Sequence, residues 1–202
     1  MRRPYVVALG GTLRPSSSTE RALGIVLQGA AEAGAEVLML SGGDLDLPPY
    51  SPETDIRTPA CERLVGELRR ADGLVLGSPG YHGGVSGLVK NAIDYVEDLR
   101  SDVRPYLEGR AVGAVATGAG WQGAVNTLSA LRGIVHALRG WNTPLGVAIN
   151  TTDESFAPDG TYLSPKINQM LALMGRQIVD FAQLRLQRSV EEESGQRPAG
   201  IH

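Results

Sequence analysis

The stretch Tyr5-Val6-Val7-Ala8-Leu9-Gly10-Gly11-Thr12-Leu13-Arg14-Pro15-Ser16-Ser17-Ser18-Thr19-Glu20 sets the pattern for the whole chain. A continuous apolar run passes through a glycine pair into a hydroxyl-rich segment that opens a helix. Leu23, Val26, Leu27 and Ala30 then follow at i, i+3, i+4 and i+7. An apolar run without polar alternation suits a strand covered on both faces, as in a parallel sheet. Four more such runs follow: Glu36–Leu40, Leu74–Gly77, Ala111–Thr117 and Pro144–Ile149. Helical rhythm returns at Val85, Leu88, Val89 and Ala92, continued by Ile93, Val96 and Leu99. It recurs over Val125–Leu138 and from Lys166 to about Arg188. Strand and helix therefore alternate, with right-handed crossovers expected. The expected fold is a three-layer α/β/α sandwich around a five-stranded parallel sheet.

The 202 residues fit one domain, read as residues 1–188, with a flexible polar tail over 189–202. Ser41 to Thr58 reads as a long loop after the second strand. Asn150–Ser164, with its Pro158-Asp159-Gly160 turn signal, reads as an excursion before the last helix. A composition of 42% hydrophobic and 20% charged residues is that of a soluble globule with a real core. Nineteen Lys+Arg against 22 Asp+Glu leave a charge of −3, so there is no basic field for nucleic acid or anionic membrane. One cysteine, Cys61, excludes an internal disulfide framework and a cysteine-based zinc site. His82, His136 and His202 share no metal-ligand spacing, so no metal is expected. No apolar run reaches a membrane span and no signal-peptide region precedes the first turn, so the expected location is cytoplasmic. Glycine is the outlier, 26 residues or about 13% against a usual ~7%.

In open parallel sheets ligands bind outside the carboxyl ends of the strands. Three loops there are unusual. After strand one, Gly10 to Thr19 crowds hydroxyls and the Arg14 guanidinium at a helix start, whose free amides and dipole suit a phosphate dianion. The same residues also read as a Ser17–Glu20 capping box with solvated serines, and the two readings are compatible. The loop has neither Gly-x-x-x-x-Gly-Lys-[Ser/Thr] nor Gly-x-Gly-x-x-Gly, so it is neither a P-loop nor a Rossmann fingerprint. After strand three comes Ser78-Pro79-Gly80-Tyr81-His82-Gly83-Gly84-Val85-Ser86-Gly87. It reads as an amide-rich ligand loop edged by Tyr81 and His82, or as a glycine connector with Ser86 capping the next helix. After strand four, Thr117-Gly118-Ala119-Gly120-Trp121-Gln122-Gly123 can turn main-chain amides inward as an anion nest. No Lys or Arg occurs from Thr117 to Leu131, so charge there is met by main-chain dipoles. Trp121 lies on a ligand or covers the loop. A flat heterocycle on a single-phosphate tail matches this series of surfaces. Neither a catalytic triad nor paired carboxylates are present, and no catalytic side chain is assigned.

Gly11-Thr12-Leu13-Arg14-Pro15-Ser16-Ser17-Ser18-Thr19 resembles the Gly-Ser-x-Arg-x-x-Ser-x-[Asn/Ser/Thr] phosphate loop of the NADPH-dependent FMN reductase family. Leu45-Asp46-Leu47-Pro48-Pro49-Tyr50 is similar to the segment after its second strand. Ser78 to Asp94 resembles its [Ser/Thr]-Pro-x-Tyr-x-x-x-x-[Pro/Ser]-Gly-x-Leu-Lys-Asn-Ala-[Ile/Leu]-Asp signature. The resemblance spans roughly residues 4–185, most of a domain. It implies a flavodoxin-like fold with strand order 2-1-3-4-5 that binds FMN. By position, Thr12, Arg14, Ser17, Ser18 and Thr19 would hold the phosphate. Pro79, Gly80, Tyr81, His82 and Gly83 would line the isoalloxazine, and Thr117, Gly118, Gly120 and Gly123 its pyrimidine end. Gly80 stands where many members carry a larger side chain, often Glu, which implies a more open wall over the flavin. Lys90, Asn91 and Asp94 match the signature as structural residues. Val89, Ile93 and Val96 fit either core or a subunit interface.

The implied activity is NAD(P)H-dependent FMN reduction, with NADPH or NADH as donor. The reduced flavin would leave for a flavin-dependent monooxygenase. Two alternatives are an FMN-dependent quinone or azo-compound reductase with tightly bound FMN, and a non-catalytic flavodoxin-like electron carrier. A charge of −3 is small for a carrier's docking face. The family resemblance also implies a homodimer or homotetramer.

Overall fold

The computed structural model describes residues 2–153, 156–157 and 164–193. The described residues form seven strands and five α-helices in the expected alternation. In chain order they are β1 (Tyr5–Gly10), α1 (Ser18–Glu32), β2 (Glu36–Leu40), α2 (Pro59–Arg70), β3 (Gly73–Tyr81) and β4 (Gly84–Val85). Then come α3 (Gly87–Asp94), β5 (Ala111–Gly118), α4 (Trp121–Ala137), β6 (Trp141–Asn142), β7 (Val147–Asn150) and α5 (Pro165–Glu193). The sheet runs β2-β1-β3-β5-β6, with β7 also on β5, and all of these pairings are parallel. This is the expected order 2-1-3-4-5, its fifth position shared by β6 and β7.

That split has a local cause. Asn142 is opposite Val112 and Val147 opposite Val115, so two more residues lie on the outer side than on β5. Pro144, expected to begin a strand, offers no N–H to the ladder. The Thr143 hydroxyl instead donates to the Leu145 carbonyl at 2.7 Å and closes the interruption.

Alternate residues of the central strands feed two cores, as the pleat requires. Tyr5, Val7 and Leu9 join Leu64, Leu68, Val89, Ile93, Val96 and Leu131 under α2, α3 and α4. Val6, Ala8, Val75 and Val115 join Leu23, Val26, Leu171, Met174 and Ile178 under α1 and α5. Val89, Ile93 and Val96 are thus core residues, which decides between the two roles their spacing allowed.

The long loop after β2 is anchored rather than free. Asn91 on α3 accepts from the Tyr50 amide at 2.8 Å and donates to the carbonyls of Leu47 and Pro48. Leu45 and Leu47 are buried, and Lys90 pairs with Asp94 one turn on at 2.6 Å. The periodic segment after α3 continues to Leu99 as a 3-10 helix. α5 runs on to Glu193, so the segment expected as a tail from 189 begins inside this helix. Its remainder and the Pro158-Asp159-Gly160 turn lie outside the described residues. Among the described residues no helix is long and apolar enough to cross a membrane, and no group of three His, Cys, Asp or Glu could hold a metal ion.

Candidate functional site

The three loops singled out in the sequence meet at the carboxyl edge of the sheet. They enclose a cavity of about 230 Å³ bordered by Thr12, Arg14, Ser17, Ser18 and Thr19 from the first, Pro79, Gly80 and Tyr81 from the second, and Thr117 and Gly118 from the third. Ala119 and Thr151 complete its border. A contiguous cavity of about 540 Å³ shares Thr12, Arg14 and Tyr81 and reaches Leu13, Ser86 and Leu88. Together they fall within the ~300–1,000 Å³ usual for small-molecule sites. A larger groove of about 750 Å³ lies elsewhere, between the loop after β2, α3 and α4. It is edged by the Arg57–Asp98 and Lys90–Asp94 ion pairs and receives none of the three loops.

The first loop is shaped by its own hydroxyls. The Arg14 amide donates to Thr12 Oγ1 at 3.2 Å, a tight Ser/Thr turn. Ser17, extended at φ −61°, ψ 157°, caps α1 by accepting the Glu20 amide at 3.2 Å. Only half of the expected capping box forms, because the Glu20 carboxylate accepts the Ser41 hydroxyl instead. The amides of the first turn of an α-helix point out of its N-terminus, here into the cavity mouth beside Thr19. Arg14 is exposed, and among the described residues its guanidinium has no hydrogen bond or ion pair. Among the described residues no carboxylate borders this cavity, and the one charged side chain on its border is the cationic Arg14.

The second loop is a strand with a hairpin at its tip. β3 continues to Tyr81 and folds back as β4, with Gly80 opposite Val85 and Tyr81 opposite Gly84. The two turn residues, His82 (φ 52°) and Gly83 (φ 83°), both take positive φ, the mark of a type I′ turn matched to the strand twist. They stand at the hairpin tip, beside the residues that border the cavity and not on its border. Ser78 is buried beneath the hairpin and accepts the Ser86 amide at 2.9 Å, while Ser86 caps α3 through the Val89 amide.

The third loop brings α4 against this hairpin. A Cβ at Gly80 would lie 2.8 Å from both the Gly123 carbonyl oxygen and Thr127 Oγ1. The space beside Gly80 is therefore filled by α4, and the more open wall that its small side chain implied is not there. Thr127, fully buried, also donates to the Gly84 carbonyl at 3.2 Å, tying the hairpin to α4. Gly120 is the residue before α4 and Gly123 lies in its first turn, so both flank the cavity without bordering it. Trp121 is half exposed at the start of α4 and does not line it either.

Sequence reasoning missed Ala119 and Thr151. Thr151 follows β7, where its amide and hydroxyl both bond the Gly118 carbonyl, at 2.8 and 3.1 Å. The rule that sites gather at strand carboxyl ends, applied to the fifth strand, would have found it.

A family model described as NADPH-dependent FMN reductase matches residues 4–154. An FMN-dependent NADPH-azoreductase from Staphylococcus saprophyticus is 37% identical over 120 residues, covering 59% of this chain and 58% of that relative's length. Among solved structures, an oxidoreductase from Corynebacterium diphtheriae aligns over 91% of this chain and 99% of its own, with TM-score 0.71 and 21% identity. A flavodoxin, WrbA-like protein from Agrobacterium tumefaciens aligns over 91% and 99%, with TM-score 0.61 and 17% identity. The fold is flavodoxin-like, and by the match over residues 4–154 the chain belongs to the NADPH-dependent FMN reductase family.

Proposed function

We propose that this protein is an NAD(P)H-dependent FMN reductase acting with NADPH or NADH. The observation that carries the reading is the cavity where hydroxyls and Arg14 meet the start of α1, with no carboxylate on its border and no partner for the guanidinium among the described residues. That donor set fits a phosphate dianion, for which helix amides, hydroxyls and a guanidinium are complementary. Thr12, Arg14, Ser17, Ser18 and Thr19 would hold the phosphate of FMN. Ser17 uses its oxygen as acceptor for the Glu20 amide, which leaves its proton to donate. Pro79, Gly80 and Tyr81 would lie along the isoalloxazine, with His82 and Gly83 at its rim. Thr117, Gly118, Gly120 and Gly123 would stand at the pyrimidine end.

Bound FMN supplies the redox chemistry, accepting hydride from a reduced nicotinamide. The protein needs no nucleophile, and its residues bind, orient and stabilise charge. With no Lys or Arg from Thr117 to Leu131, negative charge at that end meets the open amides of the first turn of α4. Tyr81, 57% exposed, offers a flat face at the mouth.

The test is an FMN titration followed by NADPH and NADH oxidation with free FMN, a quinone and an azo dye. Nicotinamide oxidation that requires FMN is expected, and no flavin-dependent turnover with either nucleotide refutes the proposal. The azoreductase relative favours a second reading in which FMN stays bound and electrons pass to an azo dye or quinone. Dye reduction by gel-filtered protein without added FMN selects that reading. A cytoplasmic location, delivery of reduced flavin to a monooxygenase and a homodimer or homotetramer complete the proposal. Trp121 and Val125, exposed one turn apart on α4, give such an assembly an apolar contact.

A further inference from the structure

Thr19 and Thr117 are 98 positions apart in the chain, yet their hydroxyl oxygens are 2.7 Å apart. Thr19 is in the first turn of α1 and is 1% exposed; Thr117 is near the end of β5 and is 3% exposed. Two hydroxyls carry two protons, and the bond between them uses one. Neither hydroxyl has another partner among the described residues, so one buried proton has no acceptor among them. Both residues border the 230 Å³ cavity, which is where that proton is available.

The surroundings decide which hydroxyl keeps it. Thr19 is in the first turn at the positive end of α1, where an anion is favoured. An acceptor-only dianion there orients the Thr19 proton toward itself, and Thr19 oxygen then accepts from Thr117. We propose that Thr117 is a positioning residue for the phosphate end of the site, donating to Thr19 so that Thr19 donates to a phosphate oxygen. The proposal rests on the FMN reading and changes the part of Thr117 within it, from a contact at the ring to the second member of a hydroxyl chain. Donation into such a chain polarises the next donor and strengthens it.

The test measures FMN and riboflavin affinity by flavin fluorescence quenching for the full chain and for Thr19→Val, Thr117→Val, the double variant and Thr117→Ser. Thr19→Val is expected to weaken FMN by about tenfold, the loss of one charge-assisted bond. Thr117→Val is expected to weaken FMN by roughly three- to fivefold, since the bond persists without its polarising partner. Riboflavin affinity stays within about twofold in both, because it lacks the phosphate. The double variant matches Thr19→Val, and Thr117→Ser restores wild-type binding. Thr117→Ala gives the same readout if the valine variant does not fold. Equal losses for both flavins, no effect of Thr117→Val, or losses that multiply in the double variant overturn the proposal. Wild-type protein that binds no FMN refutes the functional reading itself, a separate outcome.

Discussion

Among the described residues Arg14 is the one cationic side chain bordering the cavity, and none of them holds its guanidinium. Arg14→Ala is therefore expected to weaken FMN by about 10- to 100-fold, the worth of one or two charge-assisted bonds, with little change for riboflavin. Isothermal titration with the two flavins checks this, and equal losses for both contradict the phosphate assignment. The first loop was legible in the sequence because a helix start with hydroxyls is a local signal. The Thr19–Thr117 bond was not, since nothing along the chain marks two residues 98 positions apart as neighbours. Thr151 was hidden for a different reason, its segment reading as an excursion rather than as the end of a strand.

At the scale of elements, the contact between β3 and α4 sets the shape of the site. Gly80→Ala puts a methyl 2.8 Å from a main-chain oxygen that cannot swing away, so α4 must shift. A destabilisation of about 1–3 kcal/mol is expected, as for other overpacked positions. FMN affinity should fall with it, because α4 carries the amides of the third loop. Urea unfolding and flavin titration measure the two effects, and wild-type values for both contradict this packing role. Ser86 caps α3, and Ser86→Ala is expected to cost about 1 kcal/mol in the same unfolding assay. A cost indistinguishable from zero contradicts that role. The cap was readable from sequence, as was the alternation of strands and helices. The hairpin was not: His82-Gly83 is an unusual pair for a type I′ turn, and the glycines around it read as a ligand loop or a connector. The fifth strand was placed a little early because its apolar run includes Pro144, and only the register against β5 shows the break.

For the whole molecule, the fold was legible because each central strand is apolar on both faces, and the two cores are those faces. Two buried tyrosines lend that core a pH dependence. Burial, with a 2.7 Å hydrogen bond to Glu67, pushes the Tyr5 hydroxyl up to about 12. Burial likewise pushes Tyr95, whose hydroxyl donates to the Pro48 carbonyl at 2.9 Å, up to about 12. The folded state thus favours the protonated phenols more than the unfolded chain, whose tyrosines titrate near 10. Their contribution is complete below pH 10 and is lost as pH rises toward 12. Unfolding free energy should fall across that window, less steeply in Tyr5→Phe and Tyr95→Phe variants; an unchanged slope contradicts the assignment.

The claim beneath the whole account is that a single phosphate is gripped at the start of α1. The most direct measurement is the affinity of the unmodified protein for FMN against riboflavin under one set of conditions. The account predicts FMN binding tighter by about 100-fold or more, from several charge-assisted bonds to the phosphate. Equal affinity for the two flavins, or no binding of FMN at all, contradicts it.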